Sequence, residues 1–421
     1  MKIMNKIEYI MRKIGIKSML RQITIIASVL VSLIIMTISC NHKSANLLTL
    51  KARFQSELDT LHDQYQFPGA TAAYILPDGT VEVVATGLAD VELDIRMTPQ
   101  SRMLAASIGK TFVGATVVAL VQEGVLNLDD PISKWLVDRF WFSRLPNHET
   151  ITLRQLLTHS SGIANHVDME SFIHAFSENW HARTNPFQPE TLIAFVLDQP
   201  PLFKAGEGWH YSDTGYILVG LIIEAVTGHS YYEEVIQRFL EPLHLTLTTP
   251  SDRLELPGLA AGYMSPDNAF DLPPKTTLRP GVMAWHPGLE WTGGGMISNP
   301  KDLVVWAKAL YEGNAIKGDY LENLFQSVPI SEDDPNTQYG IAVAIHKNDS
   351  LGTTYGHSGW IPGYCSSLRY YHEYGVAVAF QINTDIGIVD GSTQVFKDME
   401  NNLAEVVIEQ KKLKNNNHLK K

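Results

Sequence analysis

Three short segments of this chain carry side chains able to break an acyl bond. The first is Ser107-Ile108-Gly109-Lys110. Residues three apart on a helix share a face, so a helix opening here sets Ser107 beside Lys110. A serine hydroxyl is a weak nucleophile and needs a base next to it. A lysine serves once it loses its proton, which an apolar setting promotes. A helix N-terminus also favours negative charge developing on Ser107. A capping serine followed by a solvated lysine would give the same letters. Gly109-Lys110-Thr111 also reads as the end of a phosphate-binding loop. That loop needs a glycine five residues before Gly109, and position 104 is Leu, so this reading is rejected.

The second segment is Tyr211-Ser212-Asp213. A tyrosine held near a lysine can relay a proton; a turn tyrosine leading into a helix is the plain alternative. The third is Gly356-His357-Ser358-Gly359-Trp360. Glycine in a strand lets another backbone approach closely, and His357 could offer a proton to a carboxylate or an ester. The segment is not the Gly-x-Ser-x-Gly elbow of another hydrolase fold, because position 360 is Trp.

In order and spacing, the three match the general plan of the Ser-x-x-Lys, Ser-Asp-Asn and Lys-Thr-Gly set. More closely, they resemble the Ser-x-x-Lys, Tyr-x-Asn and His-x-Gly variant of the class C β-lactamase, DD-peptidase and penicillin-binding protein superfamily. Leu156-Leu-Thr-His-Ser-Ser-Gly162, Tyr216–Gly228 and Thr292-Gly-Gly-Gly-Met-Ile-Ser298 are similar to stretches of the same family. The resemblance covers roughly residues 50 to 400. It implies that Ser107 attacks a carbonyl and forms an acyl-enzyme, and that Lys110 and Tyr211 share the proton transfers. It implies an oxyanion site built from the backbone N–H groups of Ser107 and Trp360. His357, Gly359 and Trp360 would line the substrate edge.

One position departs from the family pattern. Asp213 stands where the family usually has asparagine. An amide can donate to a substrate carbonyl, but a carboxylate cannot. Asp213 is instead expected to pair with Lys110, keep it protonated and shift the base role toward Tyr211. Efficient β-lactam hydrolysis is then disfavoured. The expected activity is hydrolysis of D-amino-acid peptides in the manner of a DD-peptidase, on a peptide or other small substrate and without a cofactor. An esterase or a class C β-lactamase-like hydrolase is the alternative, and a non-catalytic penicillin-binding sensor a further one. His159, His166, His174 and His181 make no zinc motif, and they read as ordinary loop and helix histidines. Cys365 reads as a small core residue.

The elements that must hold these residues follow from pattern. Residues 51–65 read as helix. Residues 70–76 and 81–87 read as two strands joined through Asp78-Gly79, a hairpin signal. Thr111–Val121 is nearly all apolar and stops at Gly124, the mark of a buried helix. Tyr216–Val226 ends at Gly228 in the same way, and Asn299-Pro300 opens a helix to Tyr311. Strands return over 340–346, 364–371 and 375–382, and a last helix covers about 393–411. The expected class is α+β, an α/β sandwich of one antiparallel sheet flanked by helices, with an inserted, mostly helical domain. Residues 51–124 and 291–410 would form the α/β domain and 125–290 the insertion. Residues 411–421 are expected to be a disordered tail.

Composition bounds the partners. The chain has 421 residues, 45% apolar and 19% charged, with a net charge of −12. Such an acidic chain lacks the basic face that nucleic acid needs. Positive charge gathers instead in residues 2–21, and Ile23–Ser39 then carries no charge. A basic region followed by an apolar run is an export signal, and its end at Ser39-Cys40 resembles a bacterial lipoprotein signal. Thr37 departs from it, since such signals usually have Leu there. Residues 1–39 are thus expected to be a signal, with Cys40 lipidated, residues 40–50 a tether, and the rest in the cell envelope. An uncleaved anchor and a start at Met19 are the alternatives.

Overall fold

Hydrophobic strands at the two ends of the chain meet in one sheet. The computed structural model describes residues 2–13, 49–348 and 350–418. They fall into two units that divide at Arg53. The first contains helix α1 (Lys2–Lys13), whose Ile3 and Met4 are exposed. Ile23–Ser39 and Cys40 lie outside the described residues.

Helix α2 (Leu50–Tyr65), which belongs to the second unit from Phe54 onward, leads into β1 (Gly69–Ile75), β2 (Val81–Asp90) and the short β3 (Ile95–Arg96). The late strands are β4 (Val328–Pro329), β5 (Thr337–Tyr339), β6 (Ala344–Asn348), β7 (Gly352–Ile361), β8 (Tyr364–Tyr371) and β9 (Val376–Ile382). They form a nine-stranded sheet in the order β3-β2-β1-β9-β8-β7-β6-β5-β4. Every pairing is antiparallel, and β1 joins the two ends of the chain by pairing with β9 from Ala70↔Ile382 to Ile75↔Ala377. β1, β8 and β9 are buried along their whole lengths, as strands covered on both faces must be.

Both faces carry helices. On one, α2 lies with the C-terminal helix α7 (Val395–His418), joined by Tyr65 to Asp398 and by Asn402 to Glu57. On the other, α3 (Lys110–Gln122) meets α6 (Pro300–Tyr311). There the Phe112 and Trp306 rings stack 4.2 Å apart, and Trp306 Nε1 donates to Thr111 Oγ1 at 2.8 Å. Every residue of α3 from Lys110 to Leu120 is buried. Beyond it lie α4 (Glu170–Asn179) and α5 (Asp213–Thr227). Ser212 caps α5 by accepting from the Gly215 N–H, and Gly228, at φ +72°, ends it.

Several boundaries differ from the sequence expectation. Residues 340–343 form a turn between β5 and β6, with Ala342 at φ +57°. The His357 segment lies inside a strand, β7, rather than before one. Four of the first eight residues of β7 are glycine or serine, types poor in strand propensity, which hid it. The last helix runs to His418 through the residues expected as a disordered tail, since Glu409–Lys414 are nearly all strong helix formers. The sheet region and the helical region also share one continuous core, from Ala73 and Ala379 to Ile217 and Phe172. They are layers of one unit rather than separate domains.

Candidate active site

Ser107 sits on a tight 3₁₀ turn, Ala106–Gly109, that runs directly into α3. Three close approaches fix this turn. A side chain at Gly109 would meet the Gly294 carbonyl at 1.7 Å. A side chain at Gly359 on β7 would meet the Ala105 carbonyl at 2.3 Å. Ser366 Oγ on β8 donates to that same carbonyl at 2.8 Å. Ala106 itself has φ +49°, a left-handed conformation that alanine disfavours.

Lys110 is fully buried at the first turn of α3. Its Nζ donates to Ser107 Oγ at 3.0 Å and to the Gly293 carbonyl, and lies 2.5 Å from Asp213 Oδ1. Two hydrogen-bond acceptors and a carboxylate oxygen surround the nitrogen, a setting that suits an ammonium group. The nitrogen also stands 4.9 Å from the centre of the Tyr211 ring. Asp213 is the first residue of α5, and its N–H donates to Asn165 Oδ1 at 3.1 Å. The helix N-terminus favours its carboxylate. The expected Lys110–Asp213 pair is thus present.

Tyr211 lies on the loop before α5. Its hydroxyl is buried, near Ser107 but without a hydrogen bond of good geometry. Burial, reinforced by the Asp213 charge, pushes this phenol well above its ordinary value, while Ser107 pulls the other way. A resting phenolate is therefore disfavoured, and the expectation that the base role moves to Tyr211 is corrected. His159 holds the loop in place. Its Nδ1 accepts from the Ser212 N–H at 3.1 Å, its carbonyl accepts from the His210 N–H at 2.9 Å, and its ring lies 4.2 Å from that of Tyr211. Burial lowers its pKa well below the usual value, and Lys110 adds to the effect.

His357 comes to the cleft from β7 with both ring nitrogens occupied. Nδ1 donates to the Ser358 carbonyl, and Nε2 accepts from Tyr339 Oη at 2.7 Å. Burial, then Lys110, lowers its pKa to about 3. It is neutral and has no proton to offer, so its expected role as a donor to substrate is corrected; it positions β7 and Tyr339 instead. Beyond Gly356, β7 has no partner on its β6 side. Gly359 and Trp360 lie on this free stretch, with Trp360 40% exposed and its Nε1 donating to Asp385 at 3.1 Å.

Two cavities open at Ser107. One is a groove of about 740 Å³ along Trp209, Tyr211, Tyr339, His357 and Trp360. The other is a narrow pocket of about 80 Å³ lined by Phe172, Phe176, Phe270, Trp285 and Trp360, with Asp213 and Glu290. Sequence reasoning missed Glu290 and His159. His159 stood within the quoted Leu156–Gly162 stretch without a role, and Glu290 belongs to no motif. Cys365 is buried and forms no disulfide among the described residues, and burial pushes its thiol up. Among the described residues, no group of His, Cys, Asp and Glu is arranged to hold a metal ion.

A model of the family described as Beta-lactamase matches residues 54–396, spanning the sheet, the helical layer and every group above. The chain belongs to the Beta-lactamase family. It is a serine hydrolase of the β-lactamase and DD-peptidase type. Among curated proteins, it is 33% identical over 200 residues to protein flp of Staphylococcus aureus (strain NCTC 8325 / PS 47), covering 46% of this chain and 38% of that protein's length. It is 23% identical to penicillin-binding protein 4* of Bacillus subtilis (strain 168), over 80% of this chain and 72% of that one. Among solved structures, a D-stereospecific amidohydrolase from Streptomyces sp. aligns with a TM-score of 0.68 at 27% identity, covering 79% of this chain and 94% of that chain. A D-amino acid amidase from Ochrobactrum anthropi SV3 aligns with a TM-score of 0.70 at 25% identity, covering 86% and 99%. The α+β class, one antiparallel sheet between helical layers, agrees with these neighbours.

Proposed function

We propose that this family member hydrolyses amides and short peptides of D-amino acids through an acyl-enzyme on Ser107. The observation that carries the reading is the line Ser107, Lys110, Asp213, at 3.0 Å and 2.5 Å, set at the mouth of a small apolar pocket. The amidohydrolase and the amidase aligned over nearly their whole lengths support it. The narrow pocket suits one compact side chain, and the groove along β7 suits the rest of an extended substrate.

In the reaction, Ser107 Oγ bonds to the carbonyl carbon. Lys110 is already saturated with protons, so it takes the serine proton only as it hands one to Asp213. Asp213 thus does the work of the base, through Lys110. The oxyanion faces the backbone N–H groups of Ser107 and Trp360. Tyr211, protonated at rest, gives its proton to the leaving nitrogen as the C–N bond breaks, and the proton held on the Lys110–Asp213 pair restores it. Water then attacks the acyl-enzyme by the reverse transfers.

Intact mass and turnover on a panel of D- and L-amino-acid amides test this, with Ser107→Ala beside the unsubstituted chain. Turnover of D-amides by the unsubstituted chain alone is expected. Ser107→Ala retaining the full rate, or an L preference, would overturn the reading. A penicillin in the same panel is expected to acylate poorly, because Asp213 offers its amide carbonyl no donor.

We also propose that residues 1–39 direct export and that Cys40 is lipidated, on the basic and apolar pattern of that segment. Metabolic labelling with palmitate, lost in Cys40→Ala, is the expected result; label retained in that variant would refute it.

A further inference from the structure

Glu290 carries a half-buried carboxyl group that the proposed reaction does not use. It follows Pro287–Leu289, lines the narrow pocket beside Ser107, and leaves its Oε2 buried without a hydrogen-bond partner. An unsatisfied buried oxygen in a native protein calls for an explanation. Hydrocarbon and aromatic rings make up most of its surroundings: Phe172, Phe176, Phe270, Trp285 and Leu289. No lysine or arginine lines the pocket. His166 does line it, but burial lowers its pKa to about 4, so it is neutral. Among the described residues, the cation whose charge reaches Glu290 is Lys110, and it is already paired with Asp213.

The pocket therefore offers a ligand two carboxyl groups, Glu290 and the Lys110-paired Asp213, with no free base and an apolar wall. A carboxylate ligand would find no free cation there. An ammonium group carried next to a hydrophobic side chain would find both of its needs met. We propose that Glu290 binds the free α-ammonium group of the substrate's acyl residue, so that the protein selects amides with an unblocked amino terminus. This rests on the reading that Ser107 is the nucleophile, since it sets the acyl side of the substrate in the narrow pocket.

The ionisation of Glu290 fits this role. Burial raises its carboxyl pKa to about 8, Asp213 adds to the rise, and Lys110 opposes it. Tyr211, Tyr231 and Tyr232 lie within range of its charge, and all three phenols are held protonated by burial. An empty pocket thus holds a neutral acid near pH 7, and an arriving ammonium group drives off its proton. The bound pair carries one proton between two groups. A free α-amine titrates at about 7.7–8.0. Affinity is therefore expected to peak near pH 8 and to fall on either side.

Binding to the full chain carrying Ser107→Ala tests the inference without depending on turnover. The probes are D-leucine amide and 4-methylpentanamide, which differ only in the amino group. The ammonium probe is expected to bind about ten- to a hundredfold more tightly, the range of a hydrogen bond to a charged group. Adding Glu290→Gln is expected to remove that gap while leaving the affinity for 4-methylpentanamide unchanged, which also shows that the pocket is still folded. The pH optimum near 8 should vanish in the same double variant. Equal affinities, no binding of the ammonium probe, or a gap that survives Glu290→Gln would overturn the proposal. The catalytic reading fails separately, if the unsubstituted chain hydrolyses no D-amide.

Discussion

His357 reaches the Ser107 cleft from the sheet, whereas Tyr211 and Glu290 reach it from the helical layer, and their hydrogen bonding differs. Both nitrogens of His357 are bonded within the protein. Tyr211 Oη and Glu290 Oε2 are buried and have no partner. A satisfied buried group rigidifies its surroundings, whereas an unsatisfied one carries a cost that persists only where something is gained by it. The sheet side of the cleft acts as the template, and the helical side carries the reactive and selective groups. His357 thus belongs to the scaffold, whereas Trp360 on the same strand lines both cavities.

Substitutions can break this contrast. The largest effect is expected from Asp213→Asn, which leaves Lys110 beside an amide that cannot take its proton. Turnover should fall by about 10²- to 10⁴-fold, the usual worth of a general base, in steady-state rates on a D-amide. A loss below tenfold would show that the pair is structural only. Tyr211→Phe should cost about 10²-fold in amide turnover, and less on an activated ester, whose leaving group needs no proton. Comparing the two substrates reads the role directly.

The sheet side should answer differently. His357→Ala orphans Tyr339 Oη and the Ser358 carbonyl, so stability should drop by about 1–3 kcal/mol. Denaturant titration measures that loss, while kcat in the folded fraction should change by less than about tenfold. A hundredfold loss of kcat without loss of stability would reverse the assignment of the two sides.

The smallest effect concerns Glu290 in the empty protein. Its folded pKa of about 8 lies above the ordinary carboxyl value of 4.5. Between those values the folded state holds a proton that the unfolded state has lost, so stability falls as pH rises through this window and levels off above about 8. Glu290→Gln should flatten that decline. Denaturant titration at pH 5 and pH 8.5 measures the decline, and an equal decline in the variant would show that Glu290 is not its source.

Much of the scaffold was legible in the sequence because its signals are local. The apolar run after Lys110 and the glycine stops at Gly124 and Gly228 each mark an element within a few residues. The pairing of Lys110 with Asp213 was legible too, as a family motif with one altered letter. β7 was not, because Gly359 is there for close contact with Ala105 and Gly356 for close contact with Leu368, and both weaken the strand pattern. His159 and Glu290 were illegible for a different reason. Their significance comes from groups remote in sequence, the 209–213 loop and Tyr339 for one, and Phe172 and Asp213 for the other. No spacing rule joins them.

The left-handed backbone of Ala106, next to the nucleophile, bears on how the protein fails with heat. Alanine in that conformation costs roughly 1–2 kcal/mol, so the turn is held by its neighbours rather than by its own preference. Warming should release it before the shared core gives way. Activity should then fade reversibly at temperatures where circular dichroism still reports an intact fold.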